Sequence, residues 1–202
     1  MRSNNSRAAE SRFQMSKVRH YNLWQKARKE GKVDKKMIHL VEFLFSKQDY
    51  FTTSTCSGRI LLIQLDEKET KREGAFFAKW HSLPKFEEVW KELQKKSKEN
   101  LWFKQEPFVI VIGTSSLENA KHLMGVCRNN GVKKVGIMAA EEGKFLIEIM
   151  GSQYLSFLAK EKSKILVEKE FFKKQFQTAC KKLKASWKML ERVEKALKKE
   201  LY

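Results

Sequence analysis

The stretch from Glu168 to Leu201 contains neither glycine nor proline, and it carries Phe172, Phe176, Ala179, Leu183, Trp187, Leu190, Val193 and Leu197 on one stripe at helical spacing. This predicts a long amphipathic helix over 168–201, which needs an apolar body to cover its stripe. The opposite face carries most of the lysines of this region. Residues 160–202 hold 14 Lys or Arg against 6 acids and residues 1–36 hold 11 against 3, so the formal charge of +18 sits at the two ends. A near-neutral body with basic ends suits a polyanion, because Lys and Arg that neutralise phosphates release counterions. Nucleic acid is the expected partner; the competing account is a solvated lysine-rich surface serving solubility or high temperature.

The chain is read as α+β: a single domain over 13–202 with a mixed β-sheet, flanking helices and the helix 168–201, preceded by a flexible basic arm over 1–12. Phe13 to Lys29 predicts a helix that Gly31 stops, and Asp34 caps a second helix with Ile38, Val41 and Phe45 on its apolar face. Ile60 to Leu65 and Ala75 to Trp80 read as paired strands around a charged turn, Glu67 to Gly74. A helix follows Pro84, and Phe108 to Gly113 reads as the central strand. Ser115 or Ser116 caps a helix ended by Gly131, with Ala120, Leu123, Met124 and Cys127 on its buried face. Val135 to Ala140 and Phe145 to Met150 read as strands joined by the turn 141–144, and Tyr154 to Leu158 adds another.

No apolar run reaches the length that spans a bilayer, and the start lacks the apolar stretch of a secretion signal. No membrane association is expected, and the cytoplasm and a monomeric state are. Cys56, Cys127 and Cys180 are odd in number and lack CxxC spacing, and no histidine forms a ligand pair with them, so neither a disulfide framework nor a metal site is indicated. The glycine-rich phosphate loops and the GxSxG elbow are missing as well.

The chemistry concentrates in Asp49-Tyr50-Phe51-Thr52-Thr53-Ser54-Thr55-Cys56-Ser57-Gly58-Arg59-Ile60, which reads as a hydroxyl-rich turn feeding the first strand. Five small hydroxyls and a thiol lead to a glycine that lets backbone approach a ligand, then to an arginine fork suited to carboxylate or phosphate. The plain alternative is a loop whose hydroxyls satisfy nearby backbone. Asp49 is a candidate for accepting a proton or a hydroxyl, or for capping its own loop. Cys56 is a candidate nucleophile or a pocket wall. In Lys79-Trp80-His81, Trp80 offers a face on which a base can stack, or simply core packing; His81 is a candidate for proton handling, or a packed histidine. Arg128 is a candidate anion binder at a helix end.

Put in order, the segments GKVD at 31–34, DYFTTSTCSGRI at 49–60, FFAKWH at 76–81, EPFVI at 106–110 and CRNNG at 127–131 resemble the wybutosine-synthesis tRNA methyltransferase family, its archaeal members included. The resemblance runs from about Phe13 to the last helix. It implies transfer of the methyl group of S-adenosyl-L-methionine to N4 of a demethylwyosine-type base at position 37 of phenylalanine tRNA (tRNA-Phe). In that scheme Ser54, Cys56, Ser57, Gly58 and Arg59 line the cofactor and base pocket, Asp49 and His81 handle the proton, and Lys79, Trp80 and Arg128 meet the RNA. The chain departs from the family at Met150, Ser156 and Leu158, where arginine, glutamate and proline are usual. A tRNA-binding paralogue of the same fold without turnover, and a thiol enzyme centred on Cys56, are the alternatives.

Overall fold

A computed structural model describes residues 2–70 and 74–201 of the chain. They form five α-helices and nine strands: α1 Arg2–Lys29, α2 Ile38–Ser46, β1 Tyr50–Cys56, β2 Arg59–Leu65, β3 Phe76–Trp80, α3 Phe86–Gln94, β4 Asn100–Glu106, β5 Val109–Thr114, α4 Leu117–Asn129, β6 Lys134–Glu141, β7 Lys144–Met150, β8 Leu155–Glu161, β9 Lys164–Ile165 and α5 Lys169–Glu200. The class is α+β and the long terminal helix is present. The strands fall into two sheets in which every pair is antiparallel, where one mixed sheet was expected. Strand neighbours joined by short turns, as in β2–β3, β6–β7 and β8–β9, can pair in no other way, because a parallel pair needs a crossover of a dozen or more residues.

The chain divides into two compact units. The first comprises residues 2–57, 108–152 and 188–201, with sheet order β1-β5-β7-β6. Its core joins Phe13 of α1, Leu40 and Leu44 of α2, Phe51, Ile110, Ile147, Leu123 of α4 and, from the end of α5, Leu190, Val193 and Leu197. β5 lies inside this sheet, as its run of apolar residues up to Thr114 requires. Phe51 stands opposite Gly113 in the ladder, and its ring occupies the space a side chain at 113 would need: a Cβ there would lie 2.3 Å from it. Residues 2–12, where a flexible basic arm was expected, are the start of α1, and Ala9 packs where Gly143 has no side chain.

The second unit comprises residues 58–107 and 153–187, with sheet order β3-β2-β4-β8-β9. Ile60, Leu62, Leu101 and Phe103 meet Val89 and Leu93 of α3 and Phe172, Phe176 and Leu183 of α5. Phe103 and Phe172 pack edge to face at 5.0 Å between centroids. The other face of β2 buries Leu61, Ile63 and Leu65. One cation is buried in this unit: the Lys160 ammonium donates to the carbonyls of Leu93 (3.3 Å) and Lys95 (2.5 Å) at the end of α3, where the helix dipole favours positive charge. Burial pushes the Lys160 pKa down. The charged turn expected over 67–74 lies partly outside the described residues.

Two strands differ from expectation. The hydroxyl-rich segment is β1, because Tyr, Phe and Thr favour a pleated surface, and only Ser57 and Gly58 are left as the link to β2. β4 occupies a stretch in which no strand was expected; its alternating burial is broken in the sequence by Gln105, a polar residue pointing inward. Gln105 is fully buried, and its Nε2 donates to the carbonyl of Gln153 at 3.1 Å.

Candidate functional site

In the first unit the site is organised by Asp34. This residue has an extended backbone (φ −64°, ψ 116°) ahead of the short helical turn Lys35–Met37, and its Oδ1 accepts from the Lys36 N–H at 3.1 Å. Its other oxygen reaches across 23 residues of chain and accepts from the Ser57 N–H at 2.8 Å. A carboxylate oxygen of Asp34 also lies within 4.8 Å of the Cys56 thiol sulfur. One carboxylate thus caps its own turn and holds the end of the hydroxyl-rich strand.

Ser57 is fully buried, and its Oγ has no hydrogen-bond partner among the described residues. A buried hydroxyl left unpartnered costs about 1–3 kcal/mol, so it is a group that a ligand would complete. Behind it, Thr52 Oγ1 donates to the Val111 carbonyl at 2.9 Å, which spends that hydroxyl on the sheet. The ladder with β5 shifts register between Thr52 and Ser54, and the irregularity re-aims the residues beyond it. Ser54 is exposed and Cys56 half-buried. A cleft of about 330 Å³ opens beside this strand, lined among others by His20, Trp24, Asp34, Thr53, Ser54 and Thr55. His20 stacks on Phe51 (5.4 Å between centroids, 19° between planes). Burial, then the charges of Arg19 and Lys144, pull its pKa below the usual histidine value. It is therefore a neutral imidazole at neutral pH and keeps an acceptor nitrogen.

In the second unit, Gly58 has φ 99°, a conformation side chains rarely adopt, and a Cβ there would meet the Glu106 carbonyl oxygen at 2.8 Å and the Pro107 carbonyl carbon at 3.0 Å. The glycine expected to let backbone approach a ligand instead lets two stretches of backbone approach each other. Arg59 stands opposite Glu106 in the β2–β4 ladder; its Nε donates to Glu106 Oε2 at 2.7 Å and its guanidinium lies 4.6 Å from the Phe76 ring centre. Both side chains are mostly covered, which strengthens the pair relative to an exposed one. Lys79 and Trp80 line a second cleft of about 480 Å³ with Glu88, Lys91 and Glu92 of α3 and Lys95 just past its end. Trp80 also packs against the core of this unit, which is the packing reading of the sequence. His81 is half-buried just past the end of β3.

Asp49 is placed elsewhere. It lies at the start of β1, roughly 20 Å of extended strand from Cys56. There its Oδ1 accepts from the Ser115 hydroxyl at 2.5 Å and its carbonyl accepts from the Ser115 N–H at 3.2 Å. This ties the strand to the approach of α4, 66 residues along the chain, where the alternative expected was a cap on its own loop. Arg128 is exposed on the last turn of α4 and donates to the Val135 carbonyl at 3.3 Å. Cys127 is a core thiol whose pKa burial pushes up to about 12, and burial raises that of Cys180 too. Asp34 is the residue the sequence reading missed as part of the site. The signal for it is the motif GKVD at 31–34, which carries both a helix cap and part of the family resemblance.

The model of the family described as Methyltransferase TYW3 matches residues 11–199. A protein of Pyrococcus furiosus named tRNA(Phe) 7-((3-amino-3-carboxypropyl)-4-demethylwyosine(37)-N(4))-methyltransferase 1 is 29% identical over 83% of this chain and 86% of its own. A protein of Danio rerio named tRNA wybutosine-synthesizing protein 3 homolog is 30% identical over 86% of this chain and 70% of its own. The solved structure of a Pyrococcus horikoshii protein superposes with a TM-score of 0.84 at 26% identity, covering 92% of this chain and 94% of that one. The matched span takes in every motif from GKVD at 31–34 to CRNNG at 127–131, and the chain belongs to the Methyltransferase TYW3 family.

Proposed function

We propose that this protein is a tRNA methyltransferase that moves the methyl group of S-adenosylmethionine to N4 of a demethylwyosine-type base at position 37 of tRNA-Phe. The observation that carries the reading is the relative named for that reaction, matched over more than four fifths of both chains. The residues present fit a bound cofactor in one specific respect: the buried Ser57 hydroxyl has no partner among the described residues and would gain one. When bound, S-adenosylmethionine supplies an electrophilic methyl group on sulfonium.

The protein's own contribution is positional, since a methyl transfer between two bound partners gains most from holding them in line. Asp34 fixes the backbone of Ser57 and so aims its hydroxyl; Ser54 and Cys56 complete that wall. Gly58 and Arg59, where the chain continues from that wall, act as its support, the glycine by close backbone packing and the arginine through its pairing with Glu106. His81 is the proposed acceptor for the proton that N4 loses, a role that the placement of Asp49 at the far end of β1 does not favour for the latter. Lys79 and Trp80 meet RNA by charge and stacking, and Arg128 adds an exposed cation. No helix among the described residues is long and apolar enough to cross a membrane; a cytoplasmic site of action suits a tRNA substrate.

The test is incubation of the protein with labelled S-adenosylmethionine and tRNA from a strain lacking the enzyme, followed by nucleoside mass spectrometry. The expected result is label at N4 of the tricyclic base. Unlabelled tRNA that the protein nonetheless binds would establish the binding paralogue instead. Full activity in Cys56→Ser excludes the thiol enzyme.

A further inference from the structure

We propose that the groove between α1 and α2 seats an unstacked base of the tRNA, distinct from the base that is modified; the inference rests on the reading that tRNA is the substrate. The groove encloses about 500 Å³, within the range of ligand pockets, and lies wholly in the first unit. Its floor is aromatic. Tyr21 and Phe45 pack edge to face at 5.3 Å, and Trp24 lies 6.0 Å from Tyr21 and 5.9 Å from Phe45.

The rings are held, not loose. The Tyr21 hydroxyl accepts from Gln25 Nε2 at 2.8 Å, and Arg28 lies 5.2 Å from the Trp24 ring centre while its Nη1 meets Glu42 at 2.5 Å. The apolar surface is nevertheless open: Tyr21 is 42% and Val18 57% exposed. A rigid, accessible aromatic face is what sequence-tolerant base stacking uses, because every base has a π-face. Charge decides between a nucleic acid and a protein helix as occupant. The groove is lined by Lys17 and Arg28 against the single acid Glu42, and the sequence of α1 holds eight Lys or Arg against one acid, which suits phosphates. Single-stranded loops present bases in this splayed form, whereas duplex RNA does not.

The experiment uses the full-length protein and an unmodified anticodon stem-loop transcript of tRNA-Phe, without S-adenosylmethionine. Binding is read by fluorescence anisotropy, and contacts by ultraviolet cross-linking with peptide mapping. Tyr21→Ala is expected to weaken binding by about 5- to 150-fold, the range of a lost base–aromatic stack. Tyr21→Phe keeps the ring and should bind like the unaltered chain. Val18→Glu, at an exposed position that does not threaten folding, should weaken binding by adding a carboxylate at the mouth. The cross-link should fall on the peptide carrying Tyr21. Unchanged affinity in Tyr21→Ala and Val18→Glu, with cross-links elsewhere, overturns the groove while leaving the methyltransferase reading intact. Failure of the unaltered protein to bind the transcript at all counts against both. Loss of self-association in Tyr21→Ala, with RNA binding retained, would identify a protein contact and overturn it too.

Discussion

Ser57 and Arg59 stand two residues apart in one motif, yet the two regions they belong to are built oppositely. On the Ser57 side the backbone is held by Asp34 while the side-chain hydroxyl is left buried without a partner. On the Arg59 side the fork is engaged by Glu106 and Phe76, and the neighbouring glycine is packed against backbone. One region keeps a group in reserve at a cost in stability; the other uses its polar groups to brace the sheet. A motif that reads as uniform chemistry is thus built with one hydroxyl unpartnered among the described residues and one arginine fork fully engaged.

The comparison can be broken most severely at Gly58. Gly58→Ala puts a Cβ against fixed backbone in a left-handed conformation, so a loss of about 3 kcal/mol is expected in urea unfolding. Next comes Asp34→Ala, which strips the acceptor from a buried N–H and removes a cap. It should cost about 2 kcal/mol and lower methyl transfer by about 10²-fold, through misplacement of Ser57. Arg59→Lys keeps the charge but loses the planar fork, and a loss of about 1 kcal/mol is expected. If it instead abolished methyl transfer at unchanged stability, the buttress assignment would be wrong.

The smallest stability effect is the sharpest discriminator. Ser57→Ala deletes a hydroxyl that has no partner among the described residues, so the unfolding free energy should hold within about 0.5 kcal/mol or rise, while methyl transfer falls. A destabilised Ser57→Ala protein with normal turnover would reverse the roles assigned to the two regions.

Much of the helical framework was legible because its signals are local. The stripe from Phe172 to Leu197, the Ser116 cap and the apolar run of β5 each announce themselves over a few residues. β1 was obscured because Thr and Ser suit loops and strands alike, and only pairing with β5 decides between them. β4 was obscured by Gln105, whose inward position is made tolerable by the carbonyl of Gln153, 48 residues away in the chain. Asp34 escaped for the same reason: capping Lys36 is visible at a separation of two residues, and gripping Ser57 at a separation of 23 is not.

The core of the first unit draws Phe13 near one end of the chain and Leu201 near the other into a single cluster. On a ribosome the N-terminal helix therefore emerges long before the residues that seal it. Its buried Phe13 must wait through the synthesis of all the residues in between. Until Leu190, Val193 and Leu197 arrive, that half of the protein is a nascent chain with an open seam, and the final turns of α5 act as the stitch that closes it.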